Sequence, residues 1–174
     1  MKAINKLVAG VMLLASFSAL ASQGSEFEKL TPEQALVQAN QWYGSNQASV
    51  QIFPTYITAN FADGSHANIP ITDKHPISIA PYINHSHPCD FHVATGCTRE
   101  LKGVKVGVTV YDESNHKQLM QKMMTTNPNG FVDLWLPKDK KNLTVVIHYK
   151  GKEARKTLAT GKTDLTCITD MKLI

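Results

Sequence analysis

The unequal spacing of three cysteines restricts what this chain can fold into. Cys89 and Cys97 lie within the thirteen residues 85–97, which also hold three of the seven histidines. Cys167 follows much later, close to the C-terminus. No other part of the sequence is as dense in soft metal ligands. We therefore expect a fold that brings Cys167 back onto residues 85–97.

The N-terminus has the pattern of an export signal. Lys2 and Lys6 precede an apolar run over residues 7–17, and Ala19-Leu20-Ala21 is an A-x-A cleavage site. The apolar run is too short to span a bilayer stably, and no later segment is long and apolar enough for a membrane helix. We predict removal of residues 1–21, with cleavage after Ala21, and a soluble chain in a bacterial periplasm without a membrane role.

The charge of the mature chain excludes one class of partner. Loss of Lys2 and Lys6 leaves 16 Lys and Arg against 14 Asp and Glu, so the net charge falls from +4 to +2. There is no stripe of Lys and Arg with aromatic residues between them, as a nucleic-acid surface would need. Nucleic acid is therefore not an expected partner.

A helix is predicted near the start of the mature chain. Thr31 can cap it, Pro32 suits its first position, and Gln34 completes a capping box. The helix should run to Tyr43 and end at Gly44, while residues 22–29 are polar and are expected to be frayed.

Short β-like runs follow, and they divide the chain in two. Asp63-Gly64 indicates a hairpin between runs at residues 56–61 and 66–71. We predict a small helix-plus-hairpin domain over residues 22–75. Such a unit must pack on the rest of the chain or pair with a second copy of itself, because it is too small to bury much core alone.

The remainder of the chain, residues 76–174, has an all-β pattern. Valines alternate with polar or small residues over residues 104–110, and turn signals separate several short runs. We predict an immunoglobulin-like β-sandwich, which makes the fold class α+β. A last strand over residues 167–173 is expected inside an antiparallel sheet, with Cys167 meeting the loop 83–100 at one end of the sandwich.

Thiolates and imidazoles are the ligands that Cu(I) prefers, and Zn²⁺ also accepts them. The compartment favours Cu(I), because a reduced thiol cluster in an oxidising periplasm is protected by a tightly held ion. His85 is interpreted as an ordinary loop histidine. The candidate metal ligands are Cys89, Cys97, Cys167, His87 and His92.

A methionine-type copper site is a separate possibility. Met120, Met123 and Met124 lie on one predicted strand, but strand alternation places Met123 on the opposite face from the other two. Core packing is therefore the favoured interpretation of these methionines. His148, which is isolated in the sequence, is interpreted as a surface or strand residue.

Two other functions are compatible with the cysteines. Oxidation of two thiolates to a disulfide releases two electrons, so the chain could be a thiol-disulfide redox protein. Alternatively, two cysteines form a structural disulfide in a β-sandwich binding module without metal. An odd cysteine count leaves one thiol over in either case. No signature of a conventional enzyme is present, although reduction of a metal by the thiols stays open.

Several of these segments together resemble the CueP family of periplasmic copper-binding proteins. They are His87-Pro88-Cys89-Asp90-Phe91-His92, Cys97, Asn129-Gly130-Phe131, Leu134-Trp135-Leu136-Pro137 and Thr166-Cys167-Ile168-Thr169. The resemblance covers essentially the whole mature chain. It implies metal ligation by Cys89, Cys97 and Cys167, with His87 and His92 as companions.

The resemblance also implies partners and a physiological role. It implies a two-domain subunit that forms a homodimer through its N-terminal part and carries copper in the C-terminal β domain. It further implies copper tolerance and delivery of copper to a periplasmic Cu,Zn superoxide dismutase. Reduction of the metal by the site thiols and interaction with a disulfide reductase or isomerase are implied as well.

Overall fold

A computed structural model describes residues 21–174 of the chain. The predicted export signal therefore lies outside the described residues, except for Ala21. Within residues 21–174, no helix combines the length and the apolar character that crossing a membrane requires.

The described residues form a mostly β structure with two short helices, which confirms the α+β class. The helices are α1 (Gln23–Phe27) and α2 (Pro32–Gln41). The strands are β1 (Ala48–Ile52), β2 (Tyr56–Phe61), β3 (His66–Pro70), β4 (Lys74–Ile79), β5 (His92–Val93), β6 (Lys105–Asp112), β7 (Lys117–Thr125), β8 (Val132–Pro137), β9 (Leu143–Tyr149), β10 (Lys152–Leu158) and β11 (Cys167–Ile168).

Helix α1 corrects the expectation that residues 22–29 are frayed. The Ser22 side chain caps it. Phe27 is buried, with its ring centroid 5.4 Å from that of Trp42 and 5.5 Å from that of Phe61. This aromatic packing stabilises a segment whose own sequence is polar and too short for a helical period.

Helix α2 begins as predicted. The Gln34 amide donates to Thr31 Oγ1 at 3.2 Å, and the Thr31 amide donates to Gln34 Oε1 at 2.9 Å, which is a capping box. The helix ends at Gln41, two residues before the predicted Tyr43, and the chain turns at Gly44 with φ of 72°.

The N-terminal sheet has the strand order β3-β2-β1-β5. The predicted hairpin is confirmed, since Asn60 pairs with His66 across the Asp63-Gly64 turn. Strand β5 comes from the cysteine-rich stretch, and His92 pairs with Ile52 of β1. A segment assigned to the second domain thus completes the sheet of the first. The division at residue 75 stays a prediction.

The later strands form two sheets, with orders β10-β9-β6-β7 and β11-β4-β8. One hydrophobic core lies between them. Its members include Ile77 and Leu134 from the smaller sheet and Val108 and Val145 from the larger one. The alternation predicted over residues 104–110 therefore marks a half-buried strand, as expected.

The C-terminal strand differs from its prediction. Only Cys167–Ile168 is strand, at the edge of its sheet, and it runs parallel to β4 with Cys167 opposite Ser78. Met171 and Leu173 are nevertheless almost fully buried. Backbone hydrogen bonds also hold this segment in place, since the Leu173 amide donates to the Tyr82 carbonyl at 2.8 Å and Ile174 exchanges two bonds of 3.1 Å with Glu153. Burial and these isolated bonds together explain why its apolar pattern looked like a longer strand.

Candidate metal centre

The loop that carries the cysteines, residues 83–100, is closed at its base by Glu100. Oε2 of Glu100 accepts from the Ile83 amide at 2.9 Å and from the Asn84 amide at 3.0 Å, and Oε1 accepts from Asn84 Nδ2 at 2.8 Å. These bonds, the one from the Asn84 backbone first, lower the pKa of Glu100 to about 2. The carboxylate therefore stays ionised, and it fixes both ends of the loop together.

The Asn-Gly turn after β7 supports this loop from behind. The Arg99 amide donates to the Asn129 carbonyl at 2.7 Å, and Asn129 Nδ2 donates to the Ala94 carbonyl at 2.6 Å. Gly130 has φ of 88°, and a Cβ there would lie 2.9 Å from the Arg99 carbonyl oxygen. Only glycine fits this close approach without strain.

Thr166 connects the C-terminal strand to both other parts of the site. Its buried hydroxyl accepts from the His92 amide at 3.1 Å and donates to the Ile52 carbonyl at 2.7 Å. The backbone carbonyl of Asp90 accepts from the amides of Thr166 at 3.2 Å and Cys167 at 3.3 Å. Cys167 is thus attached to the loop and, through Thr166, to the N-terminal sheet.

We expect Thr166→Val to destabilise the oxidised protein by about 1–3 kcal/mol, because it leaves the His92 amide and the Ile52 carbonyl buried without a partner. Thr166→Ser keeps the hydroxyl and is the matched control. Urea unfolding measures the loss, and faster hydrogen exchange at the His92 amide locates it. Equal stability of the valine and serine variants would show that the hydroxyl does not hold the strand.

The three sulfur atoms converge, as the sequence predicted. Cys89 and Cys167 form a disulfide with their Cα atoms 5.6 Å apart, and Cys97 is a free thiol whose Sγ lies 3.9 Å from Cys89 Sγ. They pack beside buried Phe131. The spacing in the sequence had left the disulfide pairing open.

His92 is the histidine that the structure places among the sulfurs. It is fully buried, its Nδ1 lies 3.9 Å from Cys167 Sγ, and its Nε2 has no hydrogen-bond partner. Its ring centroid lies 4.4 Å from that of Phe131. Burial lowers the pKa of His92 to about 4, so the ring is neutral at neutral pH and keeps a lone pair that a metal can use.

His87 is exposed and already engaged. Its Nε2 accepts from Arg99 Nη1 at 2.6 Å, so the lone pair on that nitrogen is occupied. His85 is also exposed, in agreement with its interpretation as a loop histidine.

Arg99 was not identified from the sequence. Only 6% of it is exposed, Nη1 also donates to the Thr98 carbonyl at 2.6 Å, and Nε and Nη2 have no partner. Its guanidinium carbon lies 5.2 Å from the centroid of the Phe131 ring. Burial lowers the pKa of Arg99, and the neighbouring Cys97 partly opposes this. A buried arginine places a lasting positive charge beside the sulfurs.

A cavity of about 390 Å³ opens onto the disulfide. Both Cys89 and Cys167 line it, together with His87, Leu165 and Asp170. The disulfide can therefore be reached from solvent, although Cys167 itself is nearly buried.

The pKa of His92 makes stability depend on pH. Histidine titrates near pH 6.5 in an unfolded chain, so the folded protein, with its lower pKa, is destabilised as pH falls from about 6.5 toward 4, by up to about 3 kcal/mol. We expect His92→Gln to remove much of this dependence in oxidised, metal-free protein, measured by urea unfolding across that range. His75, whose pKa burial also lowers, should account for part of the remainder. An unchanged pH profile in the variant would contradict the assignment.

Within residues 21–174, no three His, Cys, Asp or Glu side chains stand together as a preformed metal-binding group. Two of the three sulfurs are joined in the disulfide, so they are not thiolates and do not offer the charge that a soft cation needs. Reduction would turn the same three sulfurs into soft donors beside His92. The site thus has the composition of a thiol-based centre that binds soft metals or exchanges disulfides.

Comparison with known proteins identifies the family. The family model described as periplasmic copper-binding protein CueP matches residues 38–172, so the chain belongs to the CueP family of periplasmic copper-binding proteins. A solved structure titled "Crystal Structure of S.CueP" is 30% identical, with a TM-score of 0.79 over 90% of this chain and 100% of that chain. None of the curated proteins compared matches. The match confirms the resemblance noted in the sequence. It also supports copper as the metal, because the family is described as copper-binding.

Proposed function

We propose that this protein binds Cu(I) with the thiolates of Cys89, Cys97 and Cys167 in the periplasm, for copper tolerance and copper delivery. The observation that supports it best is the meeting of three sulfurs from two distant segments, with Cys97 Sγ 3.9 Å from Cys89 Sγ. The mature form would be released by cleavage after Ala21.

The surroundings suit a thiolate-bound Cu(I). A set of three thiolates carries more negative charge than Cu(I) neutralises, and the buried Arg99 offsets part of the excess. The Phe131 ring, fully buried against His92, helps to exclude water. His92 is the nearer imidazole ligand, whereas His87 could join only after Arg99 releases its Nε2.

The same thiols can reduce the metal. Two thiolates that join in a disulfide release two electrons, which convert two Cu(II) ions to two Cu(I) ions. The disulfide can also move: a Cys97 thiolate attacks Cys89 Sγ, the Cys89–Cys97 bond forms, and the Cys89–Cys167 bond breaks with its electron pair leaving on Cys167. A periplasmic disulfide reductase or isomerase would then restore the thiols.

Other parts of the proposal concern assembly and fold. Val37 on α2 is 59% exposed beside a groove that Leu30 and Gln34 also line, which supports a homodimer through the N-terminal part. Two sheets that share one core support an immunoglobulin-like sandwich over residues 76–174. A periplasmic Cu,Zn superoxide dismutase is the proposed recipient of the copper.

A thiol-disulfide redox function without a metal role is the second candidate. The free Cys97 thiol beside an accessible disulfide favours it, because that is the arrangement for disulfide exchange. The third possibility, a binding module with an inert structural disulfide, requires that reduction and copper leave the disulfide unchanged.

A competition titration of Cu(I) against a chromophoric chelator tests the proposal. We expect the tightest Cu(I) site of the reduced mature protein to bind at least about 100-fold more tightly than any site of the oxidised protein, since reduction supplies two of the three thiolates. A free-thiol count before and after Cu(II) is added measures reduction of the metal. Equal Cu(I) affinity of both forms would exclude the thiolate site, and a disulfide that resists reduction would favour the inert module.

A further inference from the structure

One methionine of β7 has no role in packing. Met120 and Met124 pack against the core between the two sheets, whereas Met123 lies on the outer face with 67% of its surface exposed. The alternation predicted from the sequence is therefore correct, but packing accounts for only two of these three methionines.

Met123 belongs to a row of residues that crosses the outer sheet. Gly107 of β6 pairs with Met123 on one side and with His148 of β9 on the other. Because Gly107 has no side chain, the space above it is open to its two neighbours. Met123 Sδ lies 3.7 Å, and His148 Cβ 3.5 Å, from the position that a Cβ at residue 107 would take.

This space is an open groove of about 430 Å³. Besides the residues of the row, Val108, Thr109, Tyr111, Gln121 and Lys122 line it. The groove lies on the outer face of the β10-β9-β6-β7 sheet, while the core and the β11-β4-β8 sheet lie on the other face. It shares no lining residue with the cavity over the disulfide.

Glu153 extends the row and can orient the imidazole. It pairs with His148 across β9 and β10, and its Oε2 lies 3.7 Å from His148 Nδ1. Arg155 Nε lies 3.7 Å from the other carboxylate oxygen, Glu153 Oε1. The carboxylate is too far from Nδ1 for a hydrogen bond, but it attracts a proton on that nitrogen, and in that tautomer Nε2 is the free donor.

We propose that Met123 and His148 form a second metal site, on the surface, for a soft monovalent ion of the Cu(I) class. A thioether and an imidazole are donors that suit Cu(I), whereas Mg²⁺ and Ca²⁺ are usually bound through carboxylates, and no carboxylate within residues 21–174 lines the groove. Zn²⁺ usually takes four ligands, and a pair of side chains on a flat sheet does not offer them. The site does not depend on reduction of any disulfide.

The test uses the oxidised Cys97→Ser protein, in which the disulfide blocks the other two sulfurs. Ag(I), a redox-inert soft ion, and then Cu(I) are titrated while methionine methyl and histidine ring signals are followed by NMR. We expect the Met123 methyl and the His148 ring to shift together and to saturate at one equivalent. The Met120 and Met124 methyl signals should stay in place.

Single substitutions in the same background identify the ligands. Met123→Leu and His148→Gln should each weaken binding of the ion at least about 10-fold. Glu153→Gln should weaken it less, because Glu153 only orients the imidazole and does not bind the ion. Met124→Leu and His116→Gln are matched controls and should bind normally. Absence of paired shifts, or normal binding by Met123→Leu and His148→Gln, would overturn the proposal.

The outcome is separable from that of the cysteine centre. With all three cysteines present and reduced, Met123→Leu and His148→Gln should still bind Cu(I) at the thiolates with unchanged affinity. Loss of the thiolate site, in turn, leaves the paired NMR shifts intact. The experiments can therefore contradict the proposal for one site and still support the proposal for the other.

Discussion

Cys97→Ser is expected to weaken Cu(I) binding by the reduced protein at least about 100-fold. This loss is larger than that expected from removing a residue that only hydrogen-bonds to a ligand. Cys97 is the free thiol nearest the disulfide, at 3.9 Å from Cys89 Sγ, and it is partly exposed. Its removal leaves only two thiolates, and serine is a hard ligand that Cu(I) does not favour. Competition titration against a Cu(I) chelator measures the loss.

His85→Gln is the matched control, because His85 is in the same loop, is exposed and is not a predicted ligand. It should bind Cu(I) as the unmodified protein does. The Cys89–Cys167 disulfide is retained in Cys97→Ser, so the oxidised variant should also keep its stability. Normal Cu(I) affinity of reduced Cys97→Ser would show that the third sulfur lies outside the metal site.

Reduction of the metal-free protein is expected to lower its free energy of unfolding by about 4 kcal/mol, because the disulfide closes a long loop of the unfolded chain. The two cysteines are 78 positions apart in the sequence. Cu(I) should then restore much of this loss, since an ion bound to Cys167 and to the loop joins the same two segments, and binding only to the folded state stabilises it by mass action.

Urea unfolding of the oxidised, reduced and Cu(I)-loaded reduced forms measures both effects. Cu(I) should stabilise the oxidised form, in which the disulfide blocks two of the three sulfurs, far less than the reduced form, so the oxidised form serves as the control. If Cu(I) binds to reduced protein but leaves its unfolding midpoint unchanged, the ion does not connect Cys167 to the loop. If reduction itself has no effect on stability, the disulfide does not hold the C-terminal strand in place.

The meeting of Cys167 with residues 85–97 is the part of the site that the sequence predicted well, whereas metal ligation by these residues stays a prediction. Cysteines and histidines are rare, so their density in residues 85–97 was visible without a structure. The sequence could not rank the histidines, because His87 and His92 flank the same cysteine. Tertiary contacts separate them: β-sheet pairing with Ile52 buries His92, whereas Arg99 engages the exposed His87.

Most of the residues that support the cysteine site could not be identified from the sequence, and the reason is the same for each of them. Arg99, Thr166 and Glu100 act through contacts with segments remote in sequence or through backbone groups, which leave no pattern along the chain. A charged residue two positions after Cys97 was the one available signal for Arg99. Burial of its charge, which marks it as part of the site, became apparent only in the folded chain.

The sequence by itself determined the capping box of α2, the hairpin, the alternating strand β6 and the density of cysteines and histidines in residues 85–97, because these follow from local chemistry and short periods. The tertiary structure alone decided that β5 joins the N-terminal sheet, that β11 is a short parallel edge strand, and that Cys89 and not Cys97 pairs with Cys167. Each of these depends on which remote segments pack together. The free energy of that packing comes from contacts between the segments, so no local pattern of residues predicts it.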